Sequence, residues 1–134
     1  MANSPTPRRV LIVEDVPEML DLLRQVVTGL PGFQVSGLAR DCAEARLELS
    51  RRRPDLVLLD EILPGESSLD LLREILEGSI PVLLMTGIEN PKHPLPAGVT
   101  RRLLKPDWRS LVEDQSRFSQ AMSDQMKDEL SCFS

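Results

Sequence analysis

The chain has 134 residues and a net charge of −5, and 41% of its residues are hydrophobic and 28% charged. This length suits one domain with its own core, and no apolar run approaches the roughly 18 residues that a membrane span needs. The negative charge argues against a chain whose main task is to grip nucleic-acid phosphates. The first apolar stretch is also too short for a signal peptide, so we expect a cytoplasmic protein.

Five short segments are predicted to be β-strands. Four of them are continuous apolar runs, which are typical of buried parallel strands. The fifth alternates apolar with small or polar residues, as expected for an edge strand that is exposed on one side. In chain order the segments are residues 10–13, 33–38 (the alternating one), 56–59, 81–85 and 103–104.

Helical patterns lie between the first four strands. In the first pattern, apolar residues recur at spacings of three and four, with Pro17 near the start and Gly29 near the end, which predicts a helix. The second pattern begins at Asp41, with Glu44 three residues later as in a capping box. It runs toward Pro54, where a helix cannot continue.

The third helix is predicted to follow Ser67 or Ser68 and to end before Gly78. Leu47 and Leu69 are counted among the apolar positions of the second and third helices. Because strands and helices alternate, the pattern predicts βαβ units with right-handed crossovers. The expected fold class is therefore α/β, with a doubly wound parallel sheet.

The second half of the chain departs from this rhythm. Pro91, Pro94 and Pro96 remove backbone donors and disfavour a helix before them, so we expect a short or irregular fourth helix. From Asp107 onward, apolar residues follow one face of a final helix that is unusually long.

The long final helix affects the predicted domain boundaries. Its outer turns extend beyond what the sheet can cover, so we expect Phe118, Met122 and Met126 to contact a second copy or a target protein. The alternative is a frayed terminus. The predicted organisation is a flexible N-terminus (1–8), one domain (9–120) and a helical extension or tail (121–134).

Polar side chains stand at the carboxyl ends of the predicted strands, where open parallel sheets bind their ligands. Glu14 and Asp15 follow the first strand, Asp60 the third, Thr86 the fourth and Lys105 the fifth. Three neighbouring carboxylates would repel one another unless a cation held them, and an all-oxygen ligand set suits Mg²⁺. The lysine and the hydroxyl would stabilise an incoming phosphoryl group, so the set fits in-line phosphoryl transfer to a carboxylate.

These residues stand in sequence blocks that resemble the receiver domains of two-component response regulators. The resemblance covers about residues 8 to 120. The matching blocks, in the order typical of that family, are VLIVED (10–15), LVLLD followed by LPG (56–60 and 63–65), LMTG (84–87) and LLKP (103–106).

The resemblance implies a flavodoxin-like sheet of five parallel strands in the order 2-1-3-4-5. It implies Mg²⁺ as cofactor, a sensor histidine kinase or phosphotransfer protein as donor, and a downstream protein target. No enzymatic activity is expected beyond the chain's own phosphorylation and dephosphorylation. The implied roles are Asp60 as phosphoacceptor and metal ligand, Glu14 and Asp15 as the acidic metal pair, the Ile62 carbonyl as a further ligand, and Thr86 and Lys105 as phosphoryl-sensing groups.

Two departures from the family pattern, and two positions that vary within the family, bear on how the site works. Arg102 stands where the family usually carries a rotating Tyr or Phe, so we expect a switch without aromatic rotation. Ile62 and Ile88 occupy positions that influence the lifetime of the phosphate, and apolar side chains there predict slow hydrolysis because they cannot orient water. Ser67 and Ser68 replace the usual Asp-Gly and alter a loop without removing a catalytic group.

Alternative functions remain open from the sequence. The chain is either a phosphoacceptor switch, the receiver portion of a DNA-binding regulator, or a degenerate receiver that acts by binding alone. Direct contact with nucleic acid or membrane is not expected. A haloacid-dehalogenase-like phosphatase would need a D-x-D motif after the first strand, and Glu14, Asp15 and Val16 do not supply it.

Overall fold

The computed structural model of the protein describes residues 6–61, 63, 68–86, 102–104, 120 and 124. Within this part of the chain, strands and helices alternate as the sequence predicts. The elements are β1 (Arg8–Val13), α1 (Pro17–Gly29), β2 (Phe33–Ala39), α2 (Cys42–Arg51), β3 (Leu56–Asp60), α3 (Ser68–Glu77), β4 (Val82–Thr86) and β5 (Arg102–Leu104).

The strands form one parallel sheet in the order β2-β1-β3-β4-β5, which confirms the predicted topology. β3 lies at the centre of this order, and all five of its residues are buried. Helix α1 packs on one side of the sheet against a core that includes Ile12 and Leu58. Helices α2 and α3 cover the other side, with a second core that includes Leu11 and Leu59. Burial on both sides explains the continuous apolar runs of the central strands.

Local sequence signals set the helix boundaries. Pro17 is the first residue of α1, a position where its missing amide hydrogen costs nothing. At the start of α2, the Asp41 side chain accepts a hydrogen bond from the Glu44 amide at 2.8 Å. The Glu44 carboxylate accepts one from the Arg40 amide at 2.7 Å, one residue before the cap. The predicted capping pair is therefore confirmed. Its second hydrogen bond differs from that of a standard capping box, because Glu44 accepts from the amide of Arg40 and not from that of Asp41.

Two leucines counted in the helical patterns are not part of the core. Leu47 is 51% exposed and Leu69 is 52% exposed. Leu47 lies two positions after buried Ala45, which places it about 200° around the helix, and Leu69 lies about 100° from buried Ser68. Both residues are helical, as predicted, but the sequence pattern did not assign each apolar residue to a face.

Strand β2 contains a β-bulge that the predicted alternation did not include. Val10 of β1 pairs with Val35, but Leu11 pairs with Gly37, so Ser36 has no counterpart in the register. Bulges bend edge strands and hinder pairing with another chain. The bulge therefore protects the open edge of the sheet.

Part of the sequence prediction falls outside the described residues. The fourth helix is outside them, as are Phe118, Met122 and Met126 on the final helix. Gln120 and Asp124 are described; both are helical, and the Gln120 Nε2 atom donates to the Asp124 Oδ1 atom at 3.0 Å. Among the described elements, no helix has the length and apolar character that crossing a membrane requires.

Candidate functional site

Three carboxylates meet where β1 and β3 end. Glu14 and Asp15 directly follow β1, and Asp60 is the last residue of β3. Because Val13 pairs with Leu59, the residues after them lie side by side at this end of the sheet, which we call the carboxyl edge. One carboxylate oxygen from each of the three residues lies within 4.8 Å of the others. The structure thus brings together the acidic group that the sequence predicts.

The three carboxylates differ strongly in their exposure. Glu14 is fully buried, Asp60 is 5% exposed, and Asp15 is half-buried. The Glu14 amide donates to the carbonyl of Ala39 at 2.9 Å, and a Glu14 carboxylate oxygen accepts from the Val16 amide at 3.4 Å. These bonds fix the turn that leads from β1 into α1. The complete burial of Glu14 was not predicted, since adjacent residues in a turn carry no periodicity that separates inside from outside.

The electrostatics of this cluster favour a cation. Negative charges a few ångströms apart repel one another, and the repulsion is weakly screened when water is largely excluded. A small divalent cation offsets this repulsion, and Mg²⁺ prefers oxygen ligands together with a few waters. The oxygen spacing and the open access on the Asp15 side therefore fit Mg²⁺. The candidate ligands are Glu14, Asp15 and Asp60.

The peptide that follows Asp60 is tied to two neighbouring elements. The Glu61 amide donates to the Met85 carbonyl of β4 at 2.8 Å. The Ser68 hydroxyl, at the start of α3, donates to the Glu61 carbonyl. Leu63 is buried in the same core as Leu59. These contacts fix the backbone at the end of β3, from which the Asp60 side chain projects.

The sequence did not indicate that Glu61 and Ser68 form contacts beside Asp60. No sequence motif pointed to Glu61, yet it is half-buried. Ser68 was treated as part of an altered loop, whereas its hydroxyl bonds the backbone next to Asp60. A serine before an apolar helical pattern is a signal for a helix start. The sequence did not indicate that its partner would be the carbonyl beside the acceptor.

The remaining predicted site residues are described in part or not at all. Thr86 ends β4 and pairs with Leu104, so the backbone places it at the carboxyl edge. Arg102 pairs with Leu84, two residue pairs further from that edge than Thr86 and Leu104. The side chains of Thr86 and Arg102 are outside the described part. Ile62, Ile88 and Lys105 lie wholly outside the described residues.

Comparisons with known proteins agree on one family. The family model for the response regulator receiver domain matches residues 10–116. The transcriptional regulatory protein DpiA of Escherichia coli is 32% identical over 120 residues, which cover 85% of this chain and 53% of DpiA. The chain therefore spans about half the length of this curated relative.

Solved structures show the same fold. The receiver domain of PhyR from Erythrobacter litoralis is 30% identical with a TM-score of 0.64, and the match covers 90% of this chain and 93% of that domain. The response regulator TrrA from Thermotoga maritima, solved in complex with Mg²⁺-BeF, is 23% identical with a TM-score of 0.64. That match covers 84% of this chain and 98% of TrrA.

Proposed function

This chain belongs to the response-regulator receiver-domain family, and we propose that it is a phosphoacceptor signalling switch with Asp60 as the acceptor. The observation that carries the proposal is the position of Asp60. It is a nearly buried carboxylate at the end of the central strand, with carboxylate oxygens of Glu14 and Asp15 within 4.8 Å.

The chemistry follows from what a carboxylate can do at this position. An Asp60 carboxylate oxygen attacks the phosphorus of the donor, a new O–P bond forms, and the bond between phosphorus and the leaving group breaks. The bonding electron pair departs with the leaving group, which is a histidine nitrogen of a kinase or the acetate of acetyl phosphate. The contacts of Glu61 and Ser68 fix the backbone that carries the acceptor, so little backbone freedom is lost when the donor arrives.

Mg²⁺ is the cofactor we propose for the acidic group. When bound, it neutralises charge that builds up on the transferred phosphoryl oxygens. Glu14, Asp15 and Asp60 would hold it, with the Ile62 carbonyl as a further ligand. The TrrA neighbour in complex with Mg²⁺-BeF supports this choice. Lys105 and Thr86 are proposed to receive two of the phosphoryl oxygens, as the family resemblance implies.

The partners belong to the same proposal. A sensor histidine kinase or phosphotransfer protein donates the phosphoryl group, and a downstream protein reads the changed surface. The relative DpiA is named a transcriptional regulatory protein, which supports the second reading, a receiver portion of a DNA-binding regulator. A homodimer through Phe118, Met122 and Met126 remains a proposal from the sequence.

A direct experiment tests the acceptor assignment. The purified chain is incubated with acetyl phosphate and Mg²⁺, and its intact mass is measured. One added phosphoryl group is expected, and EDTA should prevent it. Asp60→Asn should gain no mass, whereas Asp70→Asn, at an exposed aspartate on α3, should react like the parent. A phosphorylated Asp60→Asn protein would overturn the assignment, and a parent that stays unmodified would favour a receiver that acts by binding alone.

A further inference from the structure

Five arginines gather at the end of the sheet opposite the carboxyl edge. β1 begins at Arg8, and Arg51, Arg52 and Arg53 precede β3. Because β1 and β3 are parallel neighbours with Val10 paired to Leu56, the residues before these strands share one end of the sheet. We call this group the arginine pole: Arg8, Arg9, Arg51, Arg52 and Arg53.

Three of these arginines have partners within the fold. The Arg9 Nε atom lies 3.8 Å from an Asp55 carboxylate oxygen, and an Arg51 Nη atom lies 3.7 Å from one of Glu48. An Arg53 Nη atom donates to the Ser79 carbonyl at 3.4 Å. These contacts engage the side chains of Arg9, Arg51 and Arg53 within the fold, although ion pairs this exposed are weak.

Arg8 and Arg52 differ from the other three. Neither side chain forms an ion pair or a hydrogen bond with any residue in the described part of the chain. Arg52 is exposed and Arg8 is half-buried. The C-terminus of α2 favours nearby cations and so accounts in part for Arg52. It does not account for Arg8, which lies on a strand, so a surplus of positive charge remains on a protein whose overall charge is negative.

A cleft provides space beside this charge. Its volume is about 490 Å³, and it is lined by Thr6, Pro7, Arg8, Arg9 and Asp55. Asp55 is already engaged by the amide of Arg9 at 2.8 Å. Among the three charged side chains on the cleft wall, that of Arg8 is the one without an ion pair to any residue that the structure describes.

We propose that the arginine pole binds an acidic segment of a partner protein, with Arg8 and Arg52 as the contact residues. Guanidinium groups match carboxylates in shape and charge and form paired hydrogen bonds with them. The net charge of −5 repels a long polyanion such as nucleic acid. A short acidic segment interacts within about one Debye length and therefore responds mainly to the local arginines. This inference is independent of the proposed phosphorylation.

The proposal can be tested on the full chain by fluorescence anisotropy with a fluorescein-labelled peptide of ten glutamates at low salt. Arg8→Gln combined with Arg52→Gln should weaken binding by about fivefold or more, and added salt should weaken it further. Arg73→Glu is the matched control. It lowers the net charge by the same amount at an exposed arginine of α3, and it should bind within about twofold of the parent.

Each other outcome overturns the proposal in a different way. Equal weakening by Arg73→Glu would show a response to overall charge. Tighter binding of a ten-nucleotide single-stranded DNA would indicate a nucleic-acid surface, and a parent that binds no peptide would remove the site altogether. Asp60→Asn, which tests the phosphorylation proposal, should bind the peptide normally, and a loss there would mean that the peptide sits elsewhere. Circular dichroism of each variant confirms that it is folded.

Discussion

Arg9 and Asp55 close a reciprocal contact at the start of the β1–β3 ladder. The Arg9 amide donates to the Asp55 carboxylate at 2.8 Å, and the Asp55 amide donates to the Arg9 carbonyl at 2.8 Å. An ion pair of 3.8 Å between the same two side chains adds little, because both are more than a third exposed. The hydrogen bonds fix the register of the two strands whose other ends carry Glu14 and Asp60.

Removal of the Asp55 carboxylate should therefore destabilise the fold through a lost hydrogen bond. We expect Asp55→Ala to lower the free energy of unfolding by about 1 kcal/mol, because the Arg9 amide loses its acceptor. Asp55→Asn should lose less, since its amide oxygen still accepts. Urea denaturation measures both. Glu77→Ala, at an exposed acid in the last turn of α3, is the control and should change stability by a few tenths of a kcal/mol. Equal losses for Asp55→Ala and Asp55→Asn would instead assign the effect to charge.

Mg²⁺ should stabilise the folded protein. A ligand that binds only the native state adds about 1.4 kcal/mol when its concentration is about ten times its Kd. We expect the unfolding midpoint to rise with Mg²⁺ and to return on addition of EDTA. Asp15→Asn removes the most accessible of the three carboxylates and should reduce this response. Glu18→Gln, the control, removes one charge nearby on α1 and should leave the Mg²⁺-induced rise in the unfolding midpoint unchanged. If Mg²⁺ raised the midpoint equally in both variants, the proposed site would be wrong.

The same cluster should destabilise the protein when no metal is bound. Glu14 is fully buried and Asp60 nearly so, and repulsion between them is weakly screened. Asp60→Asn removes one of the three charges while keeping the side-chain shape. In EDTA, we expect this variant to unfold at a higher urea concentration than the parent. Its free energy of unfolding should be higher by about 1 kcal/mol. Addition of Mg²⁺ should narrow or reverse the difference. A variant less stable than the parent in EDTA would show that hydrogen bonds to Asp60 outweigh the repulsion.

The fold was largely predictable because its signals are local and repeated. Continuous apolar runs identified the buried strands, and Asp41 with Glu44 marked the start of α2. The carboxylates could be placed at one edge because parallel strands end together. The burial of Glu14 and the bond between Ser68 and Glu61 were not predictable in this way, because they depend on how distant segments pack.

The bulge in β2 illustrates a signal that the sequence did contain. Phe33 and Val35 are spaced by two residues and both pack against the α1-side core. The next large apolar residue, Leu38, follows Val35 by three and pairs with Ile12, which belongs to the same core. A change from even to odd spacing within a strand requires one extra residue. Interpreting residues 33–38 as simple alternation missed this change in spacing.

The bulge brings Gly37 close to Glu48 of α2, and this contact supports a last prediction. A Cβ atom at Gly37 would lie 2.6 Å from the Glu48 Oε2 atom and 3.3 Å from a methyl carbon of Leu11. Replacing glycine by alanine reduces the freedom of the unfolded chain and stabilises by about 0.4–1 kcal/mol where space allows. Gly37→Ala should therefore give no gain in the parent, because Glu48 must move, but should stabilise a Glu48→Ala background by about 0.5 kcal/mol. Gly29→Ala, where nothing lies within 4 Å of the added atom, should have the same effect in both backgrounds. Each glycine substitution is combined with Glu48→Ala in a double-mutant cycle, and urea denaturation of the four proteins in the cycle measures the coupling between the two positions. If Gly37→Ala changed the free energy of unfolding equally in both backgrounds, Glu48 would not limit the space there.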